Sequence, residues 1–188
     1  YIDDFKRWKH SSGSIIDWTI NAKKRKYSSK VNYLFGSKYT CLRKAFWSRR
    51  KKFIGKNINH VLVSFSGDNR NLSKKVVEII LKYDPNIKVS VVISSLNNNN
   101  KKSLFKSNKV KTYYRIDEKE IRELMYSADI AITSGGQTLY ELASIGTPTI
   151  GILSYKNQKE DTEGFQAVGF LSNIGNWNSK TLESKIIK

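Results

Sequence analysis

From residue 60 onward, short apolar runs alternate with stretches in which apolar residues recur every three or four positions. The runs at 61–65, 88–93, 110–114, 129–133 and 149–153 predict buried strands, and 170–174 predicts a short sixth. Leu72, Val76, Val77, Ile80 and Leu81 share one helical face, with Asn71 as the expected N-cap and Pro85 as the stop. Ile121, Leu124, Met125 and Ala128 form a second face, opened by Asp117 with Glu120 three residues on, the spacing of a capping box. Residues 137–145 predict a helix closed by Gly146 and Pro148. Residues 158–169 read as mostly helical, and 181–188 as the start of a further helix. Continuous apolar strands alternating with helices predict an α/β fold, a Rossmann-like parallel sheet with helices on both faces. Right-handed crossovers place every strand's carboxyl end on one edge, where such sheets bind ligands.

Residues 1–56 are different. They are irregular and basic, with clusters at 23–26 and 49–52, and only Ile15-Ile16 and Tyr33-Leu34-Phe35 suggest short strands. This segment is expected to be a basic remnant of a neighbouring domain or a linker, and 57–188 the domain proper. The chain opens on Tyr1 and reads as a piece of a longer one, cut in its last helix.

Composition narrows the classes. The 188 residues are 39% hydrophobic and 12% aromatic, which supports a core and excludes whole-chain disorder. Cys41 is the only cysteine, so no intrachain disulfide forms, and with His10 and His60 it falls short of a structural zinc set. The Asn97 to Asn100 run reads as loop filler. The net charge is +18, from 34 basic and 16 acidic residues. Two readings of it stand side by side. A positive field attracts polyanions. Yet lysines number 26 and arginines 8, alongside abundant Asn and Ile, which is the signature of compositional bias on a solvated surface.

Three predicted loops leave strand carboxyl ends and are rich in Gly, Ser or Asn: 66–69, 134–138 and 154–158. In the middle one, Gly135-Gly136 permits close backbone approach, and the following helix aims its free N–H groups at the same point. Phosphate is the natural guest, with Ser134, Gln137 and Thr138 as added donors; a plain strand-to-helix turn is the alternative. Glu141 lies one turn further on, among Leu139, Tyr140, Leu142 and Ala143. It is placed to accept hydrogen bonds from ribose hydroxyls, or else is a solvated helix carboxylate favoured by the dipole.

The stretch Ser134-Gly135-Gly136-Gln137-Thr138-Leu139-Tyr140-Glu141-Leu142-Ala143, running on to Gly146-Thr147-Pro148, resembles the nucleotide-binding signature in the C-terminal domain of GT-B-fold enzymes. More narrowly it resembles the UDP-sugar hydrolase family of pseudaminic acid biosynthesis, itself similar to the glycosyltransferase that makes lipid II. Leu34 to Tyr39, followed by Leu42-Arg43 and Phe46, is similar to that family's interdomain stretch. Val63-Ser64-Phe65-Ser66-Gly67-Asp68 with Asn71-Leu72 resembles its first turn, and Asn157-Gln158 and Asn173-Ile174-Gly175 its later motifs.

The resemblance implies roles. Uracil would lie near Ile116 and Glu141 would hold the ribose. Ser134, Gly135, Gly136, Gln137 and Thr138 would cradle the diphosphate, with Ser66 and Gly67 closing over it. Asn157 and Gln158 would face the sugar. No cofactor or metal is called for, because positive dipole ends stabilise the departing diphosphate. This sequence departs from the pattern at Ser66 and Asn69, and one residue fewer follows Gly67. The family's Gly-rich loop and catalytic His do not occur, so the catalytic residues are expected in an N-terminal domain of its own.

Three functions therefore compete: UDP-sugar hydrolase or GT-B transferase donor domain, basic module for RNA or an anionic surface, and non-catalytic relative. Interleaved Trp8, Trp18, Trp47 and Tyr27 support the basic module as stacking platforms. The expected partners are a UDP-sugar and the chain's own N-terminal domain. Nucleic acid is disfavoured, and an anionic membrane surface stays open. Cys41 is expected to pack between domains. Sugar-nucleotide chemistry and the lack of an export-signal pattern point to the cytoplasm.

Overall fold

The structure is a computed structural model and describes residues 1–25, 31–48, 50–65, 70–93 and 105–188. Its frame is a six-stranded sheet in the order β5-β4-β3-β6-β7-β8. The strands are β3 (His60–Ser64), β4 (Lys88–Ile93), β5 (Val110–Tyr114), β6 (Ile130–Thr133), β7 (Thr149–Leu153) and β8 (Leu171–Asn176). All five pairings are parallel. The helices are α1 (Arg70–Tyr83), α2 (Glu118–Ser127), α3 (Gln137–Ile145), α4 (Lys159–Ala167) and α5 (Leu182–Ile187).

Strand pleating sorts the core into two layers. Val61 and Val63 join Leu72, Val76 and Ile80 of α1 and Leu182 of α5 in one cluster. Leu62 and Ala131, pointing the other way, join Ile121 and Met125 of α2 and Leu142 of α3 in a second. Both faces of the sheet are thus covered, which is why its strands are apolar without polar alternation.

The helix ends follow local chemistry. Asp117 accepts hydrogen bonds from Lys119 N and Glu120 N, and the Glu120 carboxylate accepts one from Asp117 N at 3.0 Å, so the capping box forms as expected. Gly146 closes α3 in the left-handed region at φ 83°. One detail differs from expectation. Helix α1 begins at Arg70, so Asn71 lies inside its first turn, and the cap position at 69 falls outside the described residues. The helix is entered before the apolar stripe begins, and that stripe was the only sequence signal for its start.

The first 56 residues form a two-stranded parallel sheet of their own, β1 (Ser14–Asp17) with β2 (Asn32–Phe35). They are docked on the larger sheet's helices. Tyr140 of α3 accepts Ile20 N at 3.0 Å and donates to Asp161 of α4 at 2.7 Å. Trp18 and Phe165 meet the Tyr140 ring edge-on, with centroids at 4.9 and 4.8 Å. Asn21 donates to Glu160 O at 2.7 Å, and Arg25 bridges Asp17 and Glu160. Gly164 is forced by this docking, since a Cβ there would overlap the Ile20 side chain.

Candidate functional site

The strand order reverses between β3 and β6, the position where a doubly wound sheet opens a crevice at its carboxyl edge. There Ser64 pairs with Thr133, and the Thr133 hydroxyl donates to Ser64 O at 2.6 Å. Two loops leave this point. The one after β3 contains the expected residues Ser66 and Gly67, which lie outside the described residues. The one after β6 is Ser134-Gly135-Gly136, leading into α3.

The two glycines of that turn do different work. A Cβ on Gly135 would sit 2.7 Å from Gln158 Cβ and 2.8 Å from Gln158 O, so its missing side chain makes room for the protein's own backbone. Gly136 sits at φ 113°, ψ −162°, a region open almost only to glycine, and the space where its Cβ would lie is empty. Among the described residues no hydrogen bond reaches the amides of Gln137 and Thr138 from a side chain. The contrast with α2, whose first turn is capped at both atoms, is direct. Helix α3 therefore begins with free donors and the positive end of its dipole at the sheet's switch point.

The remaining candidates fall into place around it. Ser134 is fully buried, while Gln137 and Thr138 are half-buried. The Gln137 side chain donates through Nε2 to Cys41 O at 3.0 Å, tying the interdomain segment to the start of α3. The Cys41 side chain is exposed among the described residues. Ile116 is partly buried against the cluster of Phe46 and Ile121, just after Arg115, whose φ of 50° marks a constrained loop. Asn157 is exposed. Gln158 is buried, and its Oε1 accepts Ser154 N and Tyr155 N at 3.1 and 3.2 Å, so it braces the turn after β7.

Glu141 is 2% exposed and accepts Arg43 Nε at 2.7 Å and Arg43 Nη2 at 2.9 Å. This bidentate pair raises the Arg43 pKa, through the Glu141 hydrogen bond first. Arg43 is the residue that reading the sequence for a site passed over. Its signal was available: a lone carboxylate on an apolar helix face needs a cation, and Arg43 sits between Leu42 and Phe46. A second overlooked group is Ser154, whose Oγ is buried with no hydrogen-bond partner among the described residues. A cavity of about 740 Å³ lies nearby, lined by Phe35, Leu42, Tyr140 and Phe165. Lys23, Lys38, Ser37, Thr40 and Ser144 also line it, so its walls mix apolar and basic side chains.

An uncapped helix start of this kind is able to accept an anion. His10 is paired with Asp3 at 3.0 Å, and His60 contacts Ser90 Oγ at 2.8 Å and Ser127 O at 3.1 Å; both lie away from α3's start in sequence and in hydrogen bonding. No group of three His, Cys, Asp or Glu residues is placed to hold a metal among the described residues. None of their helices is long and apolar enough to cross a membrane.

No protein-family model matches the chain. It is 33% identical over 170 residues to the uncharacterized protein MJ1062 of Methanocaldococcus jannaschii, covering 80% of this chain and 35% of that protein. It is 26% identical over 160 residues to the pseudaminic acid cytidylyltransferase and UDP-2,4-diacetamido-2,4,6-trideoxy-beta-L-altropyranose hydrolase of Helicobacter pylori, covering 82% of this chain and 28% of that protein. The chain thus spans about a third of the length of the curated relatives it matches. In structure it is similar to the calicheamicin glycosyltransferase CalG4, with a TM-score of 0.57 at 11% identity, over 93% of this chain and 46% of that one. The six-stranded parallel sheet flanked by helices is similar to part of the GT-B glycosyltransferase fold.

Proposed function

We propose that this chain is the nucleotide-sugar-holding domain of an enzyme that releases UDP from a UDP-linked deoxy-diacetamido sugar. The observation that carries the reading is the start of α3, where Gly136 opens an uncapped helix N-terminus at the switch point between β3 and β6. In this reading the diphosphate rests on the backbone amides of Gln137 and Thr138, over Ser134, Gly135 and Gly136, and Ser66 and Gly67 are its further contacts. Uracil lies by Ile116. The buried Ser154 hydroxyl supplies a donor that has no partner among the described residues.

The structure adds Arg43 to this arrangement. Glu141 reaches a ribose only through the carboxylate lone pairs that Arg43 leaves open. Asn157 is the exposed residue on the sugar side, and Gln158 acts by holding the loop that carries it. The departing diphosphate is stabilised by donors fixed before the reaction begins, so little reorganisation accompanies bond cleavage. The Helicobacter pylori relative, by its name a hydrolase of such a sugar nucleotide, supports the hydrolase over the transferase. The glycosyltransferase fold supports a donor domain equally, and keeps transfer to an acceptor as the second reading.

Calorimetric titration with UDP and with uridine tests the proposal. UDP binding with uridine at least about tenfold weaker is expected, because the phosphates carry the contact. Equal affinity for both, or no UDP binding at millimolar concentration, would remove the phosphate cradle.

A further inference from the structure

At the opposite edge of the sheet, where the strands begin, the chain builds a different surface. Two anchors hold the segment that enters β3. Lys52 Nζ donates to Tyr126 O and Ala128 O, both at 2.6 Å, closing the carboxyl end of α2. The Asp129 carboxylate accepts Asn59 N and His60 N at 2.8 and 2.9 Å. Between these anchors the chain turns large apolar side chains outward. Phe53 is 90% exposed, Ile54 61% and Ile58 50%. Tyr83, at the end of α1 on the same edge, is 62% exposed. Ile58 also borders a cavity of about 640 Å³ walled by Val61, Ile80, Ile87 and Ile130.

Exposed cations lie along the same edge, Lys51 and Lys56 within the segment and Lys88 at the start of β4. The acids of this edge are occupied: Asp129 by its two amides, and Asp84 by Asn86 N at 2.8 Å. Lys52 is partly buried, which lowers its pKa, and its donors are spent on α2.

We infer that this edge is a docking surface for an anionic lipid bilayer, with Phe53 and Ile54 entering the interface and Lys51, Lys56 and Lys88 on the lipid phosphates. Bulky apolar side chains with lysines along the same edge match that boundary, since burying the apolar group and drawing the cations to anionic headgroups act together. The alternatives fit less well. A nucleic acid would stack its bases on ring faces; Phe53 and Tyr83 offer them, but Ile54 and Ile58, the rest of the exposed group, do not. A second copy docked through the same patch would set Lys51, Lys56 and Lys88 against their own counterparts. The surface lies across the sheet from α3's start, so docking leaves the carboxyl edge open. The inference does not depend on the nucleotide reading.

The test is sedimentation of the full chain with vesicles of phosphatidylcholine alone and of phosphatidylcholine with one quarter phosphatidylglycerol. Binding is expected only to the anionic vesicles, and its loss at about 0.5 M salt. The double variant F53S/I54S should bind roughly tenfold more weakly, and K51E/K56E should abolish binding. All four side chains are exposed, so an unchanged circular-dichroism melt confirms that the fold is intact. No binding to anionic vesicles would overturn the inference. So would F53S/I54S binding like the parent, which would reduce the effect to net charge. Concentration-dependent dimerisation or RNA binding that disappears in F53S/I54S would assign the patch to those partners instead.

Discussion

Arg43 grips Glu141 through both carboxylate oxygens, at 2.7 and 2.9 Å, and so joins the segment before β3 to the first turns of α3. The acid is buried and the guanidinium is 43% exposed. Such a pair is asymmetric: removing the base leaves a buried charge, whereas removing both charges leaves little cost. R43A is expected to destabilise the chain by about 2–3 kcal/mol in urea unfolding. R43M/E141Q should recover most of that loss. A single variant no less stable than the double one would mean that water already solvates Glu141. In the nucleotide reading, E141Q also weakens UDP binding; R43K tests whether the fork shape matters, since a lysine ammonium cannot hold both oxygens.

Gly135 and Gly136 fail differently when substituted. G135A puts a methyl group 2.7–2.8 Å from Gln158 and forces the turn after β7 to move, at a cost of about 1–3 kcal/mol. G136A meets no atom, and its cost is the backbone strain of φ 113°, about 1–3 kcal/mol. Similar losses of stability are therefore expected from the two variants in thermal unfolding. Their effects on the turn differ, and amide chemical shifts read this out: G135A perturbs Ser154 to Gln158, while G136A perturbs Gln137 and Thr138. Shifts confined to residues 137–138 in G135A would show that the close approach to Gln158 is not the reason for that glycine.

The Asp117 cap offers a purely local test. Its carboxyl is held below the usual value by the Glu120 amide first and the Lys119 amide with it. A lowered acid contributes stability above its unfolded pKa and loses it as pH falls through the folded one. In D117A, hydrogen exchange at Lys119 and Glu120 should accelerate at neutral pH, and the difference from the parent should shrink in acid.

The strands and helices of residues 60–188 were legible because each carries its own period and stop signals: the bounds of β4, β5, β7 and α3 fall where the apolar runs and Gly146 put them. The two short strands of the first segment were legible from Ile15-Ile16 and Tyr33-Leu34-Phe35, but their parallel pairing was not. Nothing in an irregular basic stretch reveals that Ile20 N meets a tyrosine hydroxyl 120 positions away. The Gly-Gly turn was legible as a turn, while the division of labour within it depends on where Gln158 packs. Glu141 stood out in sequence as a carboxylate in apolar company. Its partner did not, since a salt bridge 98 positions apart leaves no periodic trace.

Asp161, buried in the docking of the first segment, accepts a hydrogen bond from the Tyr140 hydroxyl at 2.7 Å. Burial raises its pKa to about 6 against an ordinary 3.8, with the Tyr140 hydrogen bond and Arg25 opposing the shift. The same burial, with Asp161 beside it, pushes the Tyr140 hydroxyl above its usual range. A carboxyl with a raised folded pKa binds its proton more tightly in the folded state. Its contribution is therefore full below pH 3.8 and is lost as pH rises through about 6. D161N keeps an acceptor for Tyr140 and removes the titration. Between pH 7 and pH 5 the parent should gain about 1 kcal/mol relative to D161N in urea unfolding. Other carboxylates cancel in that difference, because both proteins carry them. A difference that does not change with pH would mean that Asp161 stays ionised, held by Arg25, and that the segment docks through a charged network rather than a neutral one.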